Sequence, residues 1–205
     1  SGRARPRRTQ ALQAARVEQQ AARTLDFERD ELVMLDEVAG DTYTQPLAPL
    51  IAADGAGSVV RRAMTGQLGV RVAEDMLDHG YKELTLPAGG DGSHRIERNA
   101  LHIWPRGGFM LIALPNIDGS FTVTLFLALK GGVESFAALD SRAAVDAFFA
   151  SHFPDVGPRM PGLAREFLER PVGRMGTVRA DAWSAGEAAV LLGDAAHAIV
   201  PFHGQ

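Results

Sequence analysis

The chain has 205 residues, of which 46% are hydrophobic and 22% charged. That is room for one large domain or two small ones with a real core, and it is not the composition of a disordered tail. It has no cysteine, which excludes disulfides, thiolate zinc sites, iron–sulfur ligation and a Cys nucleophile. The net charge of −4 argues against nucleic acid as a partner. No apolar run is long enough to span a bilayer and no signal-peptide layout opens the chain, so a cytoplasmic location is expected.

The charge is unevenly placed. Residues 1–24 carry six arginines (Arg3, Arg5, Arg7, Arg8, Arg16, Arg23) against Glu18, while the rest is strongly acidic. Thr9 to Thr24 is rich in Ala, Gln and Arg, good helix formers, with a thin apolar stripe from Leu12 and Val17. A basic helix is expected there, unplaced in any domain; a basic arm for nucleic acid is the alternative.

From Leu25 the pattern changes. Leu25-Asp26-Phe27 and Leu32 to Leu35 read as short strands around a turn at Arg29-Asp30, and Ala39-Gly40-Asp41 as a second turn. Leu47 to Ala53 is a candidate buried strand ending in Asp54-Gly55, and Ser58 to Met64 looks like a helix start. Residues 66–130 read as antiparallel sheet. Tyr81 to Leu86 alternates, Pro87 to Gly92 turns, and Ala100 to Trp104, Phe109 to Leu114 and Phe121 to Leu129 are strand-like. Pro105 to Gly108 and Pro115 to Gly119 have hairpin chemistry. In the last strand Phe121, Val123, Leu125 and Leu127 share one face, and Thr122, Thr124 and Phe126 the other. Ser141 to Phe153 has helical apolar spacing, Asp155 to Pro161 is a loop, and Leu163 to Leu168 a second helix. Gly173 to Val178 and Ala188 to Leu192 read as strands.

The expected fold is α/β (or α+β). Residues 25–65 would be one part of a three-layer framework, 66–180 an antiparallel sheet with helices, and 181–205 the return to the framework.

Two segments carry candidate chemistry. Leu50 to Arg61 is strand, tight turn and helix. Its glycines let a ligand approach the backbone, its helix N-terminus offers N–H groups to a phosphate, and Asp54 could accept bonds from sugar hydroxyls. An Asp-Gly turn that only closes a strand is the plain alternative. No Walker loop, nucleophile elbow or Gly-x-Gly-x-x-Gly fingerprint occurs. Val190 to His197, followed by Pro201-Phe202-His203-Gly204-Gln205, is more specific. A hydrophobic strand delivers Gly193-Asp194, where a carboxylate can bond a polyol, and Pro201 prepares a new helix start. His197 and His203 are six apart with no third ligand nearby in sequence, so no metal site is expected.

Together the Asp54-Gly55 and Gly193-Asp194 segments resemble the two internal motifs of single-component, class A flavin-dependent aromatic hydroxylases. The runs Gly80 to Leu84, Leu101 to Gly107, Ile112 to Asn116 and Ser120 to Phe126, with Pro201 to Gln205, resemble the bacterial kynurenine 3-monooxygenases within that group. The resemblance covers residues 25–205. It implies an FAD-binding framework in which Asp54, Gly55 and Arg61 help hold FAD and the reducing nucleotide. Gly193 and Asp194 would hold the ribityl chain, and Pro201, Gly204 and Gln205 would lie by the isoalloxazine ring. It implies an aromatic pocket lined by Leu101, Ile112, Leu114, Phe126, Phe202 and His203. The residues alone, without the resemblance, read as simple sheet core.

The implied reaction is the 3-hydroxylation of L-kynurenine, with NADPH as reductant and O2 added through a flavin hydroperoxide; no acid–base pair is required from this stretch. His203 would shape the pocket. The Gly-rich pyrophosphate loop and the Arg and Tyr that grip the amino-acid head are absent, so the chain is expected to be an internal piece, inactive alone. A hydroxylase of a phenol or polyketide ring and a non-catalytic partner-binding module are the alternatives.

Overall fold

The computed structural model describes residues 20–200. They divide into two compact units: residues 20–72 with 180–197, and residues 73–179 with 198–200. Pro201, Phe202, His203, Gly204 and Gln205, and the expected helix up to residue 19, lie outside the described residues.

The first unit opens with a three-stranded antiparallel meander, β1 (Gln20–Asp26), β2 (Glu31–Asp36) and β3 (Thr42–Pro46). The expected helix is therefore wrong over Gln20 to Thr24. Those residues pair with β2, Gln20 opposite Asp36 and Thr24 opposite Val33, and ladder pairing overrides a modest helix preference. β4 is short, Leu50–Ala52, and lies parallel to β11 (Ala189–Leu191), which pairs with β10 (Ser184–Ala185). Helix α1 (Val59–Leu68) follows β4. It is tied to the meander by Gln67, whose amide donates to the Leu25 carbonyl (2.7 Å) and accepts from the Phe27 N–H (2.8 Å). The core joins all three layers: Leu25 and Leu32 of the meander, Val60 and Met64 of α1, and Ala52, Ala189 and Leu191 of the strands.

The second unit is built on a six-stranded sheet. Its strands are β5 (Val72–Leu86), β6 (His102–Pro105), β7 (Met110–Pro115), β8 (Phe121–Ala128), β9 (Gly173–Ala180) and the two-residue β12 (His197–Ala198), ordered β12-β9-β5-β8-β7-β6. The hairpins are where the turn residues put them. Arg106 N–H bonds the Phe109 carbonyl and Asn116 N–H the Ser120 carbonyl, each at 2.8 Å. β5 begins nine residues before the alternating stretch from Tyr81.

Two helices cover one face of this sheet. α2 (Arg142–His152) starts at Ser141, whose hydroxyl accepts from Ala144 N–H, and buries Val145, Phe148 and Phe149. α3 (Leu163–Glu169) buries Leu163, Ala164 and Phe167. Against them lie Phe121, Val123, Leu125 and Leu127, all fully buried, with Leu84, Leu86, Leu111 and Ala113. Each such side chain removed from water contributes about 1.5–3 kcal/mol. Lys82 shares this face by parity. It is buried over the Phe167 ring, donates to the Phe167 carbonyl in the last turn of α3, and burial lowers its pKa.

The chain leaves and re-enters the first unit at one clasp. Arg71 N–H and Nε bond the two Asp181 carboxylate oxygens (2.9 and 2.8 Å), and Asp181 N–H bonds the Arg71 carbonyl (3.0 Å).

Candidate functional site

In the first unit, the two motif segments leave the same sheet side by side. β4 and β11 are parallel, Ile51 opposite Val190 and Ala52 opposite Leu191, and Leu192 N–H bonds the Ala52 carbonyl at 2.8 Å. Their carboxyl ends therefore deliver Asp54-Gly55 and Gly193-Asp194 to one edge. In parallel sheets, ligands bind outside the carboxyl ends of the strands.

The two turns differ in what they leave open. Asp54 is a cap. Its Oδ2 accepts from Val59 N–H (2.7 Å) and Val60 N–H (3.4 Å), and the Ser58 hydroxyl accepts from Arg61 N–H (3.0 Å). The N–H groups expected to be free for a phosphate are thus already taken by side chains of the chain itself. Asp194 is the reverse case. It is exposed, and its carboxylate accepts no hydrogen bond among the described residues. Gly193 before it has φ +59° and Gly55 has φ +77°, a region that favours glycine, and no atom lies within 4 Å of where a Cβ would stand on either.

Arg61 joins the two turns. It is 4% exposed, and its guanidinium donates to the Ala56 carbonyl on one turn and to the Asp194 (3.4 Å) and Ala195 (2.8 Å) carbonyls on the other. It acts as a positioning residue. Sequence reading placed it near the nucleotide but gave no sign of this bridge, because its partners are backbone carbonyls 133 and 134 residues away.

The donor set fits a flavin in part. A solvent-facing carboxylate after an open left-handed glycine suits the hydroxyls of a polyol chain, so Gly193 and Asp194 fit. Gly55 fits as open backbone. Asp54 has committed one oxygen to its helix.

In the second unit, the expected pocket residues fall on the sheet face turned away from α2 and α3. Met110 stands opposite Phe126, Ile112 opposite Thr124 and Leu114 opposite Thr122, so Ile112, Leu114 and Phe126 share that face. Phe126 is 7% exposed, Leu114 47% and Leu101, just before β6, 47%. Ile103 of β6, opposite Ile112, extends the apolar surface, and the sequence reading missed it although its parity with Leu101 signals it. Phe202 and His203 lie outside the described residues.

No protein-family model matches the chain. It is 48% identical over 181 residues to kynurenine 3-monooxygenase of Myxococcus xanthus (strain DK1622) and 49% identical over 184 residues to that of Stenotrophomonas maltophilia (strain K279a). Over those residues the chain is a homologue of kynurenine 3-monooxygenases. The matches cover 88% and 89% of this chain but only 39% and 40% of those relatives, so the chain spans about two fifths of their length.

Solved structures agree on the fold. 2-Methyl-3-hydroxypyridine-5-carboxylic acid oxygenase superposes with a TM-score of 0.62 at 21% identity, over 89% of this chain and 45% of that one. The anhydrotetracycline hydroxylase OxyS from Streptomyces rimosus gives 0.55 at 19%, over 91% and 34%. HpxO of Klebsiella pneumoniae, solved with FAD and uric acid, gives 0.53 at 19%, over 86% and 42%. The mixed α/β fold with antiparallel sheets is shared with these three proteins. No described helix is long and apolar enough to cross a membrane.

Proposed function

We propose that this chain is part of a cytoplasmic enzyme that hydroxylates L-kynurenine at the 3-position, with FAD as cofactor and NADPH and O2 as co-substrates. The observation that carries the reading is the joint delivery of Asp54-Gly55 and Gly193-Asp194 from parallel strands, in a chain 48% identical to kynurenine 3-monooxygenases. FAD, when bound, supplies hydride acceptance and oxygen activation.

The chain's own residues bind, orient and exclude water. Asp194 accepts bonds from the ribityl hydroxyls, and Gly193 keeps the approach open. Gly55 does the same on the neighbouring turn, where Asp54 holds α1 and Arg61 fixes the spacing. Leu101, Ile112, Leu114 and Phe126 give the aromatic ring a dry wall, which favours transfer to the ring over loss to water.

A titration of the chain with FAD, followed by flavin fluorescence, tests the cofactor half. Saturable quenching that Asp194→Ala weakens at least about tenfold is expected, one polyol carboxylate being worth about 1.5–3 kcal/mol. No quenching, or quenching indifferent to Asp194, overturns it and favours a non-catalytic module.

The substrate half is tested by grafting residues 25–205 in place of the matched segment of the Myxococcus xanthus enzyme. Kynurenine-dependent NADPH oxidation is expected. A flavin-loaded chimera that ignores kynurenine and responds to a phenol favours the second reading, which the varied ring substrates named for the structural neighbours support.

A further inference from the structure

The second-unit sheet face that carries Ile112, Leu114 and Phe126 is not uniformly apolar. Its register sorts it into rows running across the strands. The middle row reads Glu83 on β5, Thr124 on β8, Ile112 on β7 and Ile103 on β6. The row beside it reads Tyr81, Phe126, Met110 and Pro105, and the row on the other side begins Thr85, Thr122, Leu114. Hydrocarbon therefore lies toward β6 and β7, and polar groups toward β5.

Most of the polar groups are already engaged. The Thr85 hydroxyl donates to Glu166 (2.8 Å), and Thr122 is bonded to Asn116. In the middle row they are not. The Glu83 side chain is exposed, and its carboxylate has no hydrogen-bond or ion-pair partner among the described residues. Arg170 reaches only the Glu83 backbone carbonyl (3.2 Å) and spends its charge on Glu166. Lys82 points to the opposite, helix-covered face. Thr124 is 9% exposed, yet its hydroxyl also makes no hydrogen bond. Because no sequestered side-chain polar atom among the described residues lacks a partner, that hydroxyl is open on the face.

We propose that Glu83, with Thr124 beside it, is the specificity-determining polar end of the aromatic wall and accepts a hydrogen bond from an amino group on the substrate ring. The inference rests on the proposed function, and it names which feature of the substrate the wall reads. An aromatic amine is a two-proton donor and a very weak base, so it needs acceptors. A carboxylate is acceptor-only, and a threonine hydroxyl can accept while donating to that carboxylate. A ring lying on Ile112 and Phe126 places a substituent directed toward β5 in the row of Thr124 and Glu83.

The test uses the isotopically labelled chain and two ligands, L-kynurenine and β-benzoylalanine, which differ by the ring amino group. Binding is read from backbone amide shifts of Ile112, Thr124 and Phe126. L-Kynurenine is expected to bind about tenfold or more tightly than β-benzoylalanine, the value of one charge-assisted hydrogen bond. Glu83→Met should abolish that preference by weakening kynurenine alone, and Thr124→Val should reduce it by a smaller factor. If kynurenine shifts these amides and Glu83→Met leaves the preference intact, or weakens both ligands equally, the role of Glu83 is overturned while the wall stands. If neither ligand shifts them in the wild-type chain, the substrate-wall reading fails and takes this inference with it.

Discussion

The two units build their proposed ligand-facing surfaces in opposite ways. In the first, the surface is the ends of strands: two turns shaped by left-handed glycines and held at a fixed spacing by Arg61, Ser58 and Asp54. In the second, it is the broad side of a sheet whose reverse side is packed with Phe121, Val123, Leu125 and Leu127. One surface depends on a few polar ties and the other on a large core. A site of the first kind breaks at a single bond. A site of the second kind is damaged only when the sheet itself loosens.

Core truncation should show this most strongly. Phe149→Ala, at a side chain 1% exposed, is expected to cost about 3–5 kcal/mol. Amide hydrogen exchange should show the loss in β5, β7 and β8 while α1 keeps its protection; equal loss in both units would break the contrast. Next comes Arg61→Met. It leaves the Ala56, Asp194 and Ala195 carbonyls without their donor and should cost about 3 kcal/mol, read as a lower unfolding midpoint. Arg61→Lys should recover less than half, since an ammonium cannot span three carbonyls as a planar fork does.

Gly193→Ala should cost about 1–2 kcal/mol from backbone strain alone, because nothing crowds the added methyl. Ser58→Ala should cost about 1 kcal/mol through the lost α1 cap. In both, denaturant melts of β1–β4 and α1 should shift and those of the large sheet should not.

Acid should act least, and on both units alike. Arg71 hydrogen-bonds Asp181, and Ser120 and Ser93 hydrogen-bond Asp118 and Asp91, so all three carboxyls lie below the ordinary value of 3.8. Between the lowered folded value and 3.8 the unfolded chain binds more protons, so stability rises with pH there. The contribution is complete above about pH 4 and is lost as pH falls through the folded values. Carboxyl NMR titration of Asp181, with and without Arg71→Ala, checks this; an Asp181 that titrates identically in both would remove the clasp as the cause.

What could be read in the sequence follows the same contrast. β7 and β8 were legible because Leu111 and Ala113, and Phe121, Val123, Leu125 and Leu127, recur with period two on the packed face, which states which residue points where. Gly193-Asp194 was legible because spacing along one strand end is a local fact. β3 was not: Thr42 to Pro46 is exposed throughout and exists because β2 offers it a ladder. The start of β5 was hidden likewise, since Glu74, Asp75 and Asp78 are poor strand formers. The bridge made by Arg61 joins residues far apart in the chain through backbone atoms, which leave no trace in residue type. The polar end of the aromatic wall needed register. Tyr81-Lys82-Glu83 states that Lys82 and Glu83 face opposite ways, but only the β5–β8 pairing sets Glu83 opposite Thr124.

The Arg71–Asp181 clasp has a modular consequence. Residues 73–179 depart and return at two positions bonded directly to each other, so topologically they are an insertion in the first unit, and the insertion's sheet takes one further short strand, β12, from beyond it. A long flexible loop costs only about 0.6 kcal/mol more for each doubling of its length. Here the clasp holds the two ends together, so the size of the insertion is nearly irrelevant to what encloses it. A sheet exchanged between positions 72 and 180 has only to keep the β9 edge that β12 joins, and the strand-end turns that carry Gly55 and Gly193 need not change with it.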